Sequence, residues 1–206
     1  MCKGVLLVVS GFSGAGKGTL MKELVKRYDN YALSISATTR SPRPGEQAGR
    51  EYFFKTQEEF EQLRASDALI EYARYVDNYY GTPKEYVQEK LSKGFDVILE
   101  IEIQGALKVK EKRPDAVLLF VLPPTGAELK NRLSTRGSES DEQIRCRMNR
   151  AIEEAQGMNA YDYLVINDSI DTCVEQIHQI VTTERHRPCR NQKLIEQIRH
   201  ELGDFK

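Results

Sequence analysis

The stretch Gly11-Phe12-Ser13-Gly14-Ala15-Gly16-Lys17-Gly18-Thr19 follows an apolar run, Val5 to Val9, and leads into a helical pattern. A glycine-rich turn between a buried strand and a helix N-terminus leaves several backbone N–H groups aimed at one spot, with the positive end of the helix dipole behind them. Such a spot binds phosphate. Gly11, Gly14 and Gly16 let the chain curl around an anion without a Cβ in the way, and Lys17 adds a mobile cation able to follow a β/γ-phosphate. The spacing is that of a P-loop, GxxxxGK, with one departure. Where a Ser or Thr usually follows the lysine and reaches Mg²⁺, this chain has Gly18, and the hydroxyl arrives one place later at Thr19. Mg²⁺ is therefore expected to be held mainly by nucleotide phosphates and water.

The chain has 206 residues, with 30 Lys plus Arg against 31 Asp plus Glu and a net charge of −1. That balance exerts no long-range pull on nucleic acid or an anionic membrane, so neither is expected as a partner and anion binding must come from locally placed bases. Cys2, Cys146, Cys173 and Cys189 are scattered, with no CxxC pair and no His at ligand spacing. They read as reduced thiols of a cytosolic protein. No apolar run approaches the roughly 18 residues of a membrane span, and the chain enters a core strand almost at once, so a cytoplasmic location is expected.

Apolar runs of strand length (Val5 to Ser10, Phe95 to Ile101, Ala116 to Leu122, Tyr163 to Ile166) alternate with helical patterns. This predicts an α/β fold with a mostly parallel sheet covered on both faces. Thr56 with Glu59, Thr82 with Glu85 (Pro83 being the first helical residue), Thr125 with Glu128, and Ser140 with Gln143 have capping-box spacing, and Gly94 and Gly137 fall where helices should stop. Two regions break the alternation. From Thr38 to Tyr80 a polar, basic, turn-rich segment precedes a short helix (Glu58 to Arg64) and the extended LIEYARYVDNYYG, the pattern of an insert with its own small sheet. From Gly126 to Gln156 the chain is helical and rich in arginine. The last segment carries an apolar stripe (Leu194, Ile195, Ile198, Leu202) that suits a helix packing on the core or on a second subunit, hence a homo-oligomer.

Three groups of residues suggest chemistry beside the P-loop. Arg40 and Arg43 sit in a loop stiffened by Pro42 and Pro44, either a plain solvated loop or a second, bidentate phosphate site. Glu100 and Glu102, two apart on a strand, should share one face at the carboxyl end of the sheet, where an open α/β sheet borders its ligand crevice. Arg132 and Arg136 share one helix face, and Arg147 and Arg150 another; they either cover a transferring phosphoryl group or pair with Glu139, Asp141 and Glu142 on the surface.

Together with the P-loop, the blocks SISATTRSPRPGE (34–46), GREYFF (49–54), LIEYA (69–73), NYYGTP (78–83), LEIEIQGA (99–106), LKNRLSTRGSES (129–140) and VIND (165–168) resemble the guanylate kinase family, in family order over roughly residues 1–187. The resemblance implies a three-layer P-loop core with a small mixed α/β insert that binds the nucleoside monophosphate and a helical lid. The corresponding boundaries are core 1–37, GMP-binding insert 38–82, core 83–125, lid 126–157, core 158–187 and a helical extension 188–206 outside the resemblance. It implies transfer of the ATP γ-phosphoryl group to GMP, and by extension dGMP, with Mg²⁺. ATP would contact Gly11, Ser13, Gly14, Ala15, Gly16, Lys17, Gly18, Thr19, Arg132, Arg136 and Asn167. Arg40, Arg43, Tyr52 and Tyr80 would grip the GMP phosphate, and Ser36, Glu71 and Thr82 would read guanine. Glu100 and Glu102 would lie near acceptor and metal, with Thr19 as a further metal contact. Lys17, Arg40, Arg136 and Arg147 would be catalytic. Two departures stand out: the second acid of the LEIEIQG strand, Asp in many relatives, is Glu102, and the next residue is Ile103 rather than an aromatic or Met. The alternatives are an inactive scaffold module of the same shape that binds phosphopeptides, or a P-loop kinase for another phosphorylated acceptor such as a ribosyl phosphate. The chemistry of guanine favours the first reading: its N1–H and N2 amino group are adjacent donors that one carboxylate, Glu71, can accept together. Adenine would set a lone pair against that anion, a mismatch worth ~10⁴ in selectivity when buried.

Overall fold

Val5 to Val9 are all buried, because β1 (Leu6–Gly11) is the middle strand of a sheet covered on both faces. The structure, a computed structural model, describes residues 3–75, 77–135 and 140–205. Val5, Leu7 and Val9 pack against Leu20, Met21 and Leu24 of α1 (Lys17–Arg27) and against Val174, Ile177 and Val181 of α7 (Ile170–Glu184). Leu6 and Val8 point the other way, onto Val87 and Leu91 of α3 (Lys84–Ser92) and Ala106 and Val109 of α4 (Ile103–Lys112). The two-residue period of a strand thus builds three layers from one apolar run.

The central sheet has the order β2-β7-β1-β8-β9, with β2 (Tyr31–Leu33), β7 (Asp96–Glu100), β8 (Val117–Leu122) and β9 (Tyr163–Ile166). Every neighbouring pair is parallel. The expected α/β architecture is present; Tyr163–Ile166 has the expected bounds, and the other three expected strands shift at their ends by one residue: Val5, Phe95, Ile101 and Ala116 fall outside, and Gly11 falls inside. Edge strand β2 escaped the sequence reading because three residues, Tyr-Ala-Leu, carry no measurable alternation. Asp96 anchors the far end of the sheet: fully buried, it accepts from Val5 N at 2.8 Å, Asn30 Nδ2 at 2.8 Å and Arg185 Nη2 at 2.6 Å.

A second, mixed sheet has the order β4-β3-β6-β5, with β3 (Ser36–Thr38), β4 (Tyr52–Phe54), β5 (Leu69–Tyr75) and β6 (Asn78–Pro83). Helix α2 (Gln57–Ala65) closes it by burying Phe60 against Ala37 and Leu69. Thr56 and Glu59 form the expected capping box at its start. Ser140 and Gln143 do the same for α6 (Asp141–Ala155). At α5 (Gly126–Thr135) only half of the box forms: Thr125 accepts from Glu128 N at 3.0 Å, while the Glu128 carboxylate turns to Arg132 Nε at 2.7 Å.

The expected Thr82–Glu85 box is absent. Thr82 belongs to β6 and donates its hydroxyl to Glu71 Oε1 at 2.8 Å, and Pro83 precedes α3 rather than starting it. The box fails because Thr82 is held in the strand by its pairing, which leaves Pro83 and not Thr82 at the position before the helix. Gly94 follows α3 as expected, at φ +88, whereas Gly137 lies outside the described residues.

After a turn at Pro188–Arg190, α8 (Gln192–Gly203) exposes Leu194, Ile198 and Leu202 and buries no residue. Of the expected stripe Ile195 is half-buried, and Leu194, Ile198 and Leu202 are left uncovered by the core, the first of the two expected partners. The turn makes the attachment instead, through Arg190 Nη2 donating to the Asp115 carbonyl at 2.6 Å.

Candidate active site

The loop between β1 and α1 turns through Gly16, whose φ of +91 lies in the left-handed region. A Cβ there would also fall 2.4 Å from Asn167 Nδ2, which donates to the Ala15 carbonyl at 2.7 Å. Arg132 Nη2 in turn donates to the Asn167 carbonyl at 2.9 Å, so α5 and the segment after β9 brace the loop from one side. Lys17 arches over it, with Nζ 2.7 Å from the Gly11 carbonyl and 3.1 Å from that of Phe12. On the other side Arg147 of α6 donates to Ser13 Oγ at 2.9 Å. Gly11, Ser13, Gly14, Ala15, Gly18, Arg132, Arg147 and Asn167 are thus gathered at one loop, with Thr19 exposed on the first turn of α1. Arg136 lies outside the described residues.

In the second sheet β3 sets Ser36 opposite Tyr52 and Thr38 opposite Tyr80. The Tyr52 and Tyr80 rings stand 5.9 Å apart edge to face, and the Arg40 guanidinium lies 5.3 Å from the Tyr52 ring centroid. Arg40 is held by Glu46, Nη2 donating to Oε1 at 2.8 Å and Oε2 at 2.9 Å, and Nη1 donates to the Ser41 carbonyl at 2.8 Å. Glu46 Oε2 also accepts from Arg43 N at 2.8 Å, while the Arg43 side chain is exposed. Glu46 is the residue that sequence reasoning missed. Its carboxylate, six positions after Arg40 in a proline-stiffened loop, was the available signal.

Glu71 is 7% exposed. Burial pushes its carboxyl above the usual range, opposed by the Thr82 hydroxyl and by the charges of Lys108 and Lys112. One oxygen accepts from the Thr82 hydroxyl; the other lies over Gly105, where a Cβ would stand 3.3 Å away. Ser36, Tyr52, Glu71, Tyr80 and Gly105 line a cleft of about 370 Å³ together with Glu100, Ile101 and Glu102.

The same three residues, Glu100 to Glu102, also line a cleft of about 490 Å³ with Gly11, Ser13, Lys17 and Arg147. The P-loop and the second sheet therefore open onto a shared wall. Glu100 ends β7 beside Gly18, and desolvation raises its carboxyl while Lys17 and Lys22 pull it down. Glu102 is not on the strand as expected. The chain turns at Ile101, and Glu102 becomes the residue before α4, its carboxylate accepting from Arg150 Nη2 at 2.6 Å. Among the described residues no group of three or more His, Cys, Asp or Glu converges on a metal. Carboxylate oxygens beside a phosphate loop are nonetheless the donors a hard cation takes, so Glu100 and Glu102 fit a metal whose remaining ligands are phosphate and water.

A family model described as guanylate kinase matches residues 3–184. The chain is 52% identical over 199 residues to the guanylate kinase of Caldanaerobacter subterraneus subsp. tengcongensis, covering 97% of each. It is 50% identical over 204 residues to that of Halalkalibacterium halodurans, covering 99% of this chain and 98% of the relative. Among solved structures, guanylate kinase from Anaplasma phagocytophilum superposes with a TM-score of 0.72 at 32% identity, covering 95% of both chains. Coverage of this extent carries the likeness through α8, beyond the limit near Arg187 expected from the motifs. Among the described residues no helix is long and apolar enough to cross a membrane.

Proposed function

The chain belongs to the guanylate kinase family, an ATP:GMP phosphotransferase, and we propose that its two adjoining clefts divide the reaction between them. The P-loop cleft takes ATP: the loop amides and Lys17 hold the β- and γ-phosphates, and Arg132 and Asn167 border the adenine side. The other cleft takes GMP, with Arg40, Arg43, Tyr52 and Tyr80 on the phosphate and Ser36, Glu71 and Thr82 on the base. The same reading extends to dGMP, because these groups address base and phosphate. The single observation that carries it is the shared wall from Glu100 to Glu102.

A phosphate oxygen of GMP is already a nucleophile. It attacks the γ-phosphorus as the bond to the β-bridging oxygen breaks, giving GDP and ADP. The protein aligns the two phosphates, covers their charge and excludes water. Mg²⁺ bound with ATP would neutralise phosphate charge, and Glu100, Glu102 and Thr19 are the side chains placed to meet its waters. Arg147, already at Ser13, is placed to meet the transferring group. An intact phosphate loop argues against the inactive scaffold reading, and buried Glu71 against an acceptor without guanine. The reading places the protein in the cytoplasm and in purine nucleotide metabolism. It leaves the exposed stripe of α8 as the contact for a homo-oligomer.

A coupled assay with ATP and GMP, AMP, UMP or no acceptor tests this. Lys17→Ala should lower kcat by roughly 10²–10³ while GMP still binds, and a near-normal rate would remove Lys17 from the chemistry. Glu71→Gln should narrow the preference for GMP over AMP by roughly 10–10². Unchanged selectivity would mean that another group reads the base.

A further inference from the structure

Helix α6 meets the core at two points one turn apart. Arg147 reaches Ser13 of the phosphate loop, and Arg150 reaches Glu102 on the acceptor side, at 2.9 Å and 2.6 Å. Three and four residues of spacing put Arg147, Arg150 and Glu154 on one face of the helix. Arg150 Nε donates to Glu154 Oε1 at 3.0 Å, so the guanidinium keeps a carboxylate whether or not it holds Glu102. The Arg150 and Glu102 side chains are 47% and 64% exposed, and an ion pair so open to water is weak and readily exchanged.

We propose that Arg150 is a positioning residue that latches α6 onto Glu102 while the acceptor cleft is empty and gives that carboxylate up when the cleft fills. This rests on the reading of Glu102 as an acceptor-side group. Glu102 lines both clefts, so whatever donor or cation claims it from the GMP side competes directly with Arg150. Filling one cleft is then felt by the helix that carries Arg147 into the other, with no direct contact between GMP and α6. Linkage makes the effect reciprocal: the latch opposes GMP binding by as much as GMP binding opposes the latch. Removing the latch should tighten GMP and free α6 before GMP arrives. A merely structural arginine would give the opposite sign on binding.

Cys146, exposed on α6 beside Arg147, reports the position of the helix. In a full-length chain carrying Cys2→Ser and Cys189→Ser, the rate of Cys146 labelling by a disulfide reagent is compared with and without GMP, and GMP affinity is measured by calorimetry. GMP is expected to speed labelling severalfold in the Arg150 protein. Arg150→Met should label fast without GMP, respond little to it and bind GMP about two- to fivefold more tightly. Arg150→Lys should fall between. A GMP-free labelling rate in Arg150→Met equal to that of the parent, or weaker GMP binding, would overturn the latch; so would slower labelling of the parent when GMP is added. Failure of GMP to bind the parent at all would instead overturn the acceptor reading, and the GMP-free comparison would still decide the latch.

Discussion

Glu71, the proposed base reader, shows how a buried carboxylate costs stability. Its carboxyl titrates above the ordinary range because it is buried, so the folded state binds that proton more tightly than the unfolded chain does. Below the unfolded pKa both states are protonated and nothing is lost. As pH rises through the raised folded pKa, the buried charge destabilises the fold. Glu71→Gln keeps an acceptor for Thr82 and removes the charge, so it should raise Tm at neutral pH, with the difference shrinking toward acid. A scan of Tm against pH that shows parallel curves for the two proteins would contradict this. The guanine-reading role proposed for Glu71 and Thr82 comes from resemblance; their mutual hydrogen bond was not legible, because the spacing of Thr82 and Glu85 offered a local partner that the strand pairing of Thr82 overrode. Glu46 stayed hidden for a different reason: its pairing with Arg40 depends on how a proline-rich loop closes, which no periodicity records.

At the scale of elements, α4 carries a constraint read from its own backbone. Gly105 has ordinary helical geometry, yet a Cβ would stand 3.3 Å from both Glu71 Oε2 and Ile101 Cδ1. Glu71 is fixed by Thr82 and by burial, so Gly105→Ala should displace it by a few tenths of an ångström. KM for GMP is expected to rise roughly 10-fold with kcat and the KM for ATP less affected. A KM for GMP that does not move would show that the carboxylate yields freely. The central strands were legible because continuous apolar runs between helical patterns leave few other solutions. The end of β7 was not: Glu100 and Glu102 obey strand spacing, but the chain leaves the sheet between them to start α4.

For the whole molecule, the exposed helix α8 makes a sharp prediction. Leu194, Ile198 and Leu202 are exposed, while the preceding turn is bound through Arg190 to Asp115. Ending the chain after Asn191 should therefore lower unfolding free energy by less than ~1 kcal/mol. A loss of several kcal/mol in urea titrations would mean that α8 packs somewhere in solution. The amphipathic stripe was plain in the sequence, but its partner was not, since a stripe records that a face is apolar and not what covers it. The wall from Glu100 to Glu102 has a consequence for ligand design. Because one partition bounds both chambers, two nucleosides tethered by a phosphate chain of matching span would dock as one molecule. The second half would then arrive at an effective concentration in the millimolar range, and such a tether should outcompete an equimolar mixture of its separate ends.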